Sequence, residues 1–282
     1  MTEQSTLQIA VVGHTNVGKT SLLRTLIRDI HFGDVDDMPG STRQVQGARI
    51  ILGSHTALVL FDTPGIEDSI GLLDYLEQLS DHRQRLDGPD RIRLFLDSPE
   101  ASALYEQEAR VLKKLLSCDA GLYVVDVREP VLAKHRDELA ILSGCARPLL
   151  PILNFVASDT ARTQEWRDAL ARVGLHSALS FDSMSPPIDG EEKLYQALSL
   201  FLSSYQQTLL ALQEQASRQR VARHAASINL IASMLIDVAS LRIRTSVEAD
   251  PLSNKITLQQ SQIREREQAC VNALLSLFQF RP

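Results

Sequence analysis

The sequence predicts an α/β fold: a mainly parallel sheet flanked by helices, with a helical insertion in its first half and a helical extension at its C-terminus. Three observations carry that expectation. A β-branched apolar run over 7–12 ends at Gly13 and gives way to a helical pattern from Gly18. Five more short apolar runs, over 46–52, 56–62, 120–126, 149–154 and 176–181, alternate with helical stretches, as parallel strands joined by crossover helices require. Strand signals then stop near residue 205, which sets a first domain at 1–205 and a helical extension at 206–282.

Composition narrows the function classes. With 282 residues, 44% hydrophobic and 23% charged, the chain has apolar material for a sizeable core and is neither disordered nor collagen-like. The formal charge of −6 disfavours a dominant nucleic-acid binder. Beyond residue 205 lie nine basic and six acidic residues, a local charge of +3 against −9 for the remainder. Cys118, Cys145 and Cys270 are far apart and show no C-x-x-C spacing, which fits a reducing compartment and not a zinc site. The N-terminus has no basic segment before its apolar run, and that run is too short to span a bilayer, so a cytoplasmic location is expected.

The elements follow in order. After the first strand and its helix, the long connection over about 67–117 contains LLDYLEQL and EARVLKKLL around a polar stretch with Gly88, Pro89 and Pro99. A helical excursion accounts for it better than a structureless loop. A closing helix is expected over 191–205. In the extension, Val221, Ala225, Ile228, Ala232, Leu235 and Ala239 recur at spacings of four and three, one stripe of a long helix. A break at Asp250-Pro251 precedes Ile256, Ile263, Cys270, Leu274 and Leu277, so two antiparallel helices are expected. Arg218, Arg220, Arg223 and His224 form a basic cluster that reads first as a solvated face. Asn229, Ser233, Asp237 and Ser240 argue against a membrane span over 228–241. Leu274, Leu275, Leu277, Phe278 and Phe280 run almost to Pro282 without a stop signal, which prompts the expectation of a longer protein whose remainder packs here or reaches a membrane.

The strongest chemical signal is Gly13-His14-Thr15-Asn16-Val17-Gly18-Lys19-Thr20, which satisfies G-x-x-x-x-G-K-[ST] with a strand before it and a helix after it. Such a loop wraps a phosphate chain with backbone N–H groups, here those of Gly13 to Ser21, and the helix N-terminus adds positive potential. Lys19 is placed to reach the β and γ phosphates, and Thr20 to offer its hydroxyl to Mg²⁺. Asp62-Thr63-Pro64-Gly65 closes the apolar strand LVLFD, where the carboxylate can hold the magnesium shell and the Gly65 amide can sense a γ-phosphate. Pro39-Gly40-Ser41-Thr42-Arg43 lies between these two motifs.

With G-x-x-N-x-G-K-[ST], P-G-[ST]-T-R and D-T-P-G in that order, residues 5–205 resemble the Era/TrmE-like bacterial P-loop GTPases. The whole arrangement is similar to a little-characterised group of such GTPases joined to a C-terminal domain of unknown function. The resemblance implies a P-loop NTPase fold and a switch that binds GTP and GDP with Mg²⁺ and hydrolyses GTP. Lys19, Thr42 and Gly65 would carry the chemistry, with Thr42 as the switch I threonine on Mg²⁺ and Asp62 with Gly65 in switch II. Gly13, Asn16, Val17, Gly18, Lys19, Thr20 and Ser21 would surround the phosphates, and Thr20, Thr42 and Asp62 the metal. Asn16 matches the asparagine that cation-dependent relatives place beside K⁺, and shaping the turn is its other reading.

Two positions depart from the pattern. Ile66 stands where a water-orienting glutamine is expected, so turnover depends on another group, on backbone contacts or on a partner. The guanine-reading N-K-x-D motif is replaced by Asn154-Phe155-Val156-Ala157, which keeps the asparagine but loses the lysine over the base plane and the discriminating aspartate. Asp159 is a substitute from a shifted loop or an N-cap for a helix near Thr160, and Asp182 stands in the last base-contacting loop. GTP is expected over ATP. The alternatives are ATP use and a low-turnover nucleotide-binding scaffold. The V-D-x-R-E-P sequence at Val125 to Pro130 reads as structural, and Trp166 and Phe155 as packing or stacking residues. Expected partners are an unidentified protein or a second copy, meeting the switches and the helical tail, with peripheral membrane contact through a region beyond residue 282.

Overall fold

The computed structural model describes residues 6–27, 45–79, 86–243 and 252–278. Its strands are β1 Leu7–Val12, β2 Gln46–Leu52, β3 His55–Asp62, β4 Ala120–Asp126, β5 Leu149–Asn154 and β6 Leu179–Ser180. They form one sheet in the order β2-β3-β1-β4-β5-β6. Every pairing is parallel except the β2–β3 hairpin. Apart from Gln8, every residue of β1 and β4 is buried, which explains why LQIAVV and AGLYVVD are continuous apolar runs rather than alternating ones.

β6 is shorter than the strand expected over 176–181. It pairs with β5 only at Ile152 and Leu153, next to Pro151, which has no N–H to offer a ladder. An edge strand beside such a neighbour has little to hold a longer pairing.

The insertion is helical, with α2 Ser69–Gln78, α3 Gly88–Leu96, α4 Pro99–Ala103 and α5 Glu106–Ser117, following α1 Lys19–Ile27. Each of its first three helices starts on a side-chain cap: Asp68 accepts from Gly71 N, Asp87 from Asp90 N and Ser98 from Ala101 N. Pro89 and Pro99 occupy first-turn positions where a missing N–H costs nothing. Leu72, Leu76, Ile92, Phe95, Val111, Leu112 and Leu115 join Tyr123 and Val125 of the sheet in one core. At about 1.5–3 kcal/mol for each such side chain, that burial turns a long connection into a fixed layer.

The remaining helices are α6 Ala133–Gly144, α7 Thr163–Arg172, α8 Gly190–Ser199, α9 Gln206–Ala239 and α10 Leu252–Phe278. The closing helix expected to reach 205 stops at Ser199, because the chain turns to bury Leu202 while Leu200 stays exposed. Trp166 is a packing residue: it is buried, and its Nε1 donates to Glu129 O at 2.8 Å.

Two compact units divide the chain at Met1–Gln215 and Ala216–Pro282, so the boundary falls inside α9. The first turns of that helix belong to the first unit, where Leu209 and Leu212 are buried and Gln215 Nε2 donates to Ile51 O at 3.0 Å. In the second unit Val221, Ile228 and Leu235 of the expected stripe are exposed. By length and composition alone, Ser203–Ala239 is long and apolar enough to cross a membrane, although polar residues interrupt its C-terminal half. The expected break at Asp250-Pro251 lies outside the described residues, as do Phe280 and Pro282.

Candidate nucleotide site

The candidate site is built from loops that follow the C-terminal ends of β1, β3, β5 and β6, where open parallel sheets bind ligands. Between β1 and α1 the backbone takes φ 65° at Asn16 and 89° at Gly18, a pattern that lets N–H groups converge on an anion. Asn16 is exposed, and its left-handed conformation is one that asparagine tolerates well. A Cβ at Gly18 would collide with Asn154 Nδ2, and one at Gly65 with Thr15, so glycine is needed at both positions. The D-T-P-G turn therefore lies directly against the phosphate loop. Ile66 N donates to Gly13 O at 3.4 Å, and Thr63 Oγ1 to Val11 O at 2.7 Å.

Lys19 opens α1 and is buried, with its Nζ donating to Gly13 O at 2.9 Å and His14 O at 2.6 Å. Burial lowers its pKa to about 8 against the opposing pull of Asp62 and Glu138. Thr20 Oγ1 donates to Asp62 Oδ2 at 2.6 Å, while Asp62 Oδ1 is buried with no hydrogen-bond partner. Burial raises the Asp62 pKa, and the Thr20 hydrogen bond and Lys19 charge oppose the rise. Such an orphaned carboxylate oxygen beside a hydroxyl is a fit for the oxygen-rich shell of Mg²⁺. Val17 O accepts from Asn154 Nδ2 at 2.9 Å. Ser21 lies one turn into the same loop-to-helix junction, where its carbonyl accepts from Thr25 Oγ1. Thr42 lies outside the described residues.

Beneath the phosphate loop sits a polar cluster that no motif announces. Glu138 of α6 is buried and its Oε1 is unpartnered; burial raises its pKa to about 8 while Lys19 opposes the shift. His14 Nε2 lies 3.1 Å from Lys134 Nζ, and its ring meets that of His135 at 5.9 Å. His135 Nδ1 accepts from Leu132 N, and burial, reinforced by Lys134 and His14, lowers its pKa to about 4. Glu108 of α5 is buried and its Oε1 accepts from both Glu67 N (3.0 Å) and Asp68 N (3.2 Å), just past Gly65. His14 belongs to the phosphate loop itself, whereas α6 and α5 bring their residues to the site across long sequence separations, and only the polarity of Glu138 and Glu108 on otherwise apolar helix faces could have marked them.

The base side is different in kind. Asn154 Oδ1 accepts from Phe155 N at 2.9 Å and Ser183 N at 2.8 Å, so this buried side chain braces the phosphate loop against both neighbouring loops. Asp182 is also buried: Oδ2 accepts from Ala157 N, and Oδ1 from Met184 N and Ser185 N. Asp159 is exposed, and α7 starts later than expected, with Arg162 at its N-cap position, so the capping reading of Asp159 fails. Arg128 lies 3.8 Å over the Phe155 ring and is held by the carboxylate of Asp126, so the V-D-x-R-E-P segment borders the site.

Residues 8–155, more than half of the chain, match the family described as 50S ribosome-binding GTPase. The protein belongs to that GTPase family. Residues 167–282 match a domain of unknown function (DUF3482), which in this GTPase takes in the end of α7, the edge strand β6 and α8 as well as the helical unit. The GTPase is 33% identical over 137 residues to the tRNA modification GTPase MnmE of Synechococcus elongatus, covering 48% of this chain and 28% of that protein. It is 33% identical over 78 residues to GTPase Der of Buchnera aphidicola subsp. Baizongia pistaciae, covering 28% of this chain and 16% of that one. The chain thus spans well under half the length of these relatives. The crystal structure of Era in complex with MgGDPNP and a 16S ribosomal RNA segment is similar at a TM-score of 0.49 and 14% identity, covering 70% of this chain and 56% of that one.

Proposed function

We propose that this GTPase is a Mg²⁺-dependent switch that binds and hydrolyses GTP through the loops at Gly13–Thr20 and Asp62–Gly65. The observation that carries the reading is the convergence of buried Lys19 and Asp62 with half-buried Thr20, with Asp62 Oδ1 left unpartnered. Lys19 compensates the β and γ phosphates, and the backbone from Gly13 through Val17, Gly18 and Ser21 surrounds them. Thr20, Asp62 and Thr42 would hold Mg²⁺, which supplies charge neutralisation between the β and γ phosphates when bound. Gly65 would offer its amide to the γ-phosphate, and Thr42 would meet only that group and its metal. Asn154 and Asp182 act by holding the base-side loops in register.

Ile66 is fully buried and cannot polarise water. That observation supports a second reading, a nucleotide-binding scaffold with little turnover unless a partner, a second copy or K⁺ beside Asn16 completes the site. Phosphate release from GTP and ATP, measured in K⁺ and in Na⁺ at equal ionic strength, separates the two. A rate above that of the Lys19→Ala variant supports the hydrolase, and a K⁺ stimulation lost in Asn16→Ala supports the cation. Thr42→Ala is expected to leave diphosphate affinity unchanged while weakening triphosphate binding.

A further inference from the structure

We propose that Phe155, backed by the Arg128 guanidinium, is the platform on which the nucleotide base stacks, so that this site holds purine nucleotides by their aromatic faces and separates guanine from adenine only weakly. The inference rests on the nucleotide-site reading above and specifies its substrate class.

The Phe155 ring borders the phosphate loop, since a Cβ on Gly18 would lie 3.2 Å from its Cζ. Its backbone has φ 62°, an uncommon conformation for a bulky residue, and Asn154 Oδ1 accepts its N–H at 2.9 Å. The ring is therefore aimed by the same asparagine that braces Val17 and Ser183. Arg128 is equally fixed: its Nε donates to Asp126 Oδ1 at 2.9 Å and its Nη2 to Oδ2 at 2.6 Å. A guanidinium held 3.8 Å over an aromatic ring makes a rigid, planar support of the kind on which nucleic-acid bases stack, and stacking tolerates any base because each has a π face.

Around Asp182 the hydrogen-bonding groups that could read a base edge are already committed. Ala157 contributes a methyl group, and its amide goes to Asp182. The Met184 and Ser185 amides go to the other oxygen of the same carboxylate. Among the described residues of these loops, Ser183 Oγ is a buried polar side-chain atom without a partner, 3.5 Å from the same point above Gly18. A hydroxyl can donate to a base carbonyl or accept from a base amino group, so it favours neither purine. A site with a dedicated acceptor rejects the wrong partner by about 10⁴-fold because that acceptor is left unpaired, and neither the Ala157 methyl group nor the committed Asp182 carboxylate can impose that penalty.

The test is competition by GDP, ADP and inorganic tripolyphosphate against a ribose-labelled fluorescent GDP, on the full chain and on Phe155→Ala, Phe155→Tyr and Arg128→Ala. Wild-type affinities for GDP and ADP are expected to differ by less than about a hundredfold, set against the discrimination of a dedicated acceptor. Phe155→Ala should weaken both nucleotides by about tenfold or more while tripolyphosphate, which has no base, binds as before. Phe155→Tyr should restore the nucleotides, and Arg128→Ala should weaken them less than Phe155→Ala does. A larger guanine preference, an unchanged nucleotide affinity in Phe155→Ala or an equal loss for tripolyphosphate overturns the proposal. Failure of the wild type to bind tripolyphosphate or any nucleotide would instead remove the phosphate-loop reading on which it rests.

Discussion

On the phosphate side of the site two carboxylate oxygens are buried without a hydrogen-bond partner, whereas on the base side the carboxylate and amide oxygens of Asp182 and Asn154 are all matched within the protein. Asp62 Oδ1 and Glu138 Oε1 are buried and unpartnered around Lys19. Asn154 and Asp182, by contrast, each satisfy three neighbouring hydrogen-bonding groups, and no oxygen of Asp182 is left over. Leaving a buried polar atom unpaired costs about 1–3 kcal/mol, so a surplus persists where a ligand relieves it, while a closed network marks scaffolding. On the nucleotide-site reading, the contrast puts the polar atoms that a ligand would relieve beside the phosphate loop and the self-satisfied scaffolding around Asn154 and Asp182.

The sharpest way to break this contrast is Lys19→Ala, expected to weaken nucleotide binding by about a hundredfold or more, since it removes one partner of a buried charge pair. Calorimetric titration showing near-wild-type affinity would move the binding energy to the base side. Next comes Asp62→Asn. The gain in nucleotide affinity on adding Mg²⁺, taken against EDTA, should fall by about tenfold, or about 1.4 kcal/mol. An unchanged magnesium effect would leave the orphaned oxygen without a role. Asp182→Ala should reverse the pattern, lowering unfolding stability by about 2 kcal/mol in urea titrations while sparing tripolyphosphate affinity. A loss confined to binding would show that this carboxylate serves ligand rather than loops.

The smallest effect is a pH dependence. Glu138, raised from 4.5 to about 8, holds its proton more tightly in the folded state, so its stabilisation is complete below pH 4.5 and is lost as pH rises through about 8. His135, lowered from 6.5 to about 4, acts with the opposite sign: its contribution is present above pH 6.5 and is lost as pH falls through about 4. Lys19, lowered from 10.5 to about 8, acts with the opposite sign to Glu138 once pH approaches 8, where its folded form begins to lose its proton. The contribution of Glu138 is therefore clearest between about 6.5 and 7, where the melting temperature of the wild type should fall with pH more steeply than that of Glu138→Gln. Parallel curves would show that burial does not hold this proton.

The same contrast governs what could be read in the sequence. Gly13, Gly18, Lys19 and Gly65 were legible because close backbone approach and a phosphate chain demand those residue types at fixed spacing. The central strands were legible because burial on both faces makes them continuously apolar. Asp182 was noticed only by its place, and its role depends on Ala157, a partner across a different loop. Glu138 acts through tertiary packing that leaves no local spacing to detect, and Arg128, although part of V-D-x-R-E-P, meets Phe155 only through the fold. The extent of β6 and the end of α8 went astray for a related reason, since Pro151 on the neighbouring strand and the burial of Leu202 decide them.

Glu108 links the helical insertion to the loop after Gly65 in a way that matters for motion. Its carboxylate oxygen accepts two consecutive amides, those of Glu67 and Asp68, at the very start of α2, while Val111, Leu112 and Leu115 of the same α5 helix are fully buried. Any displacement of the Glu67–Asp68 backbone must either break both bonds, at roughly 1.5–3 kcal/mol each for a charged acceptor, or carry α5 along. The insertion thereby ties the first backbone amides after Gly65 to a helix whose apolar face is part of the core, so the loop and α5 are held as one unit.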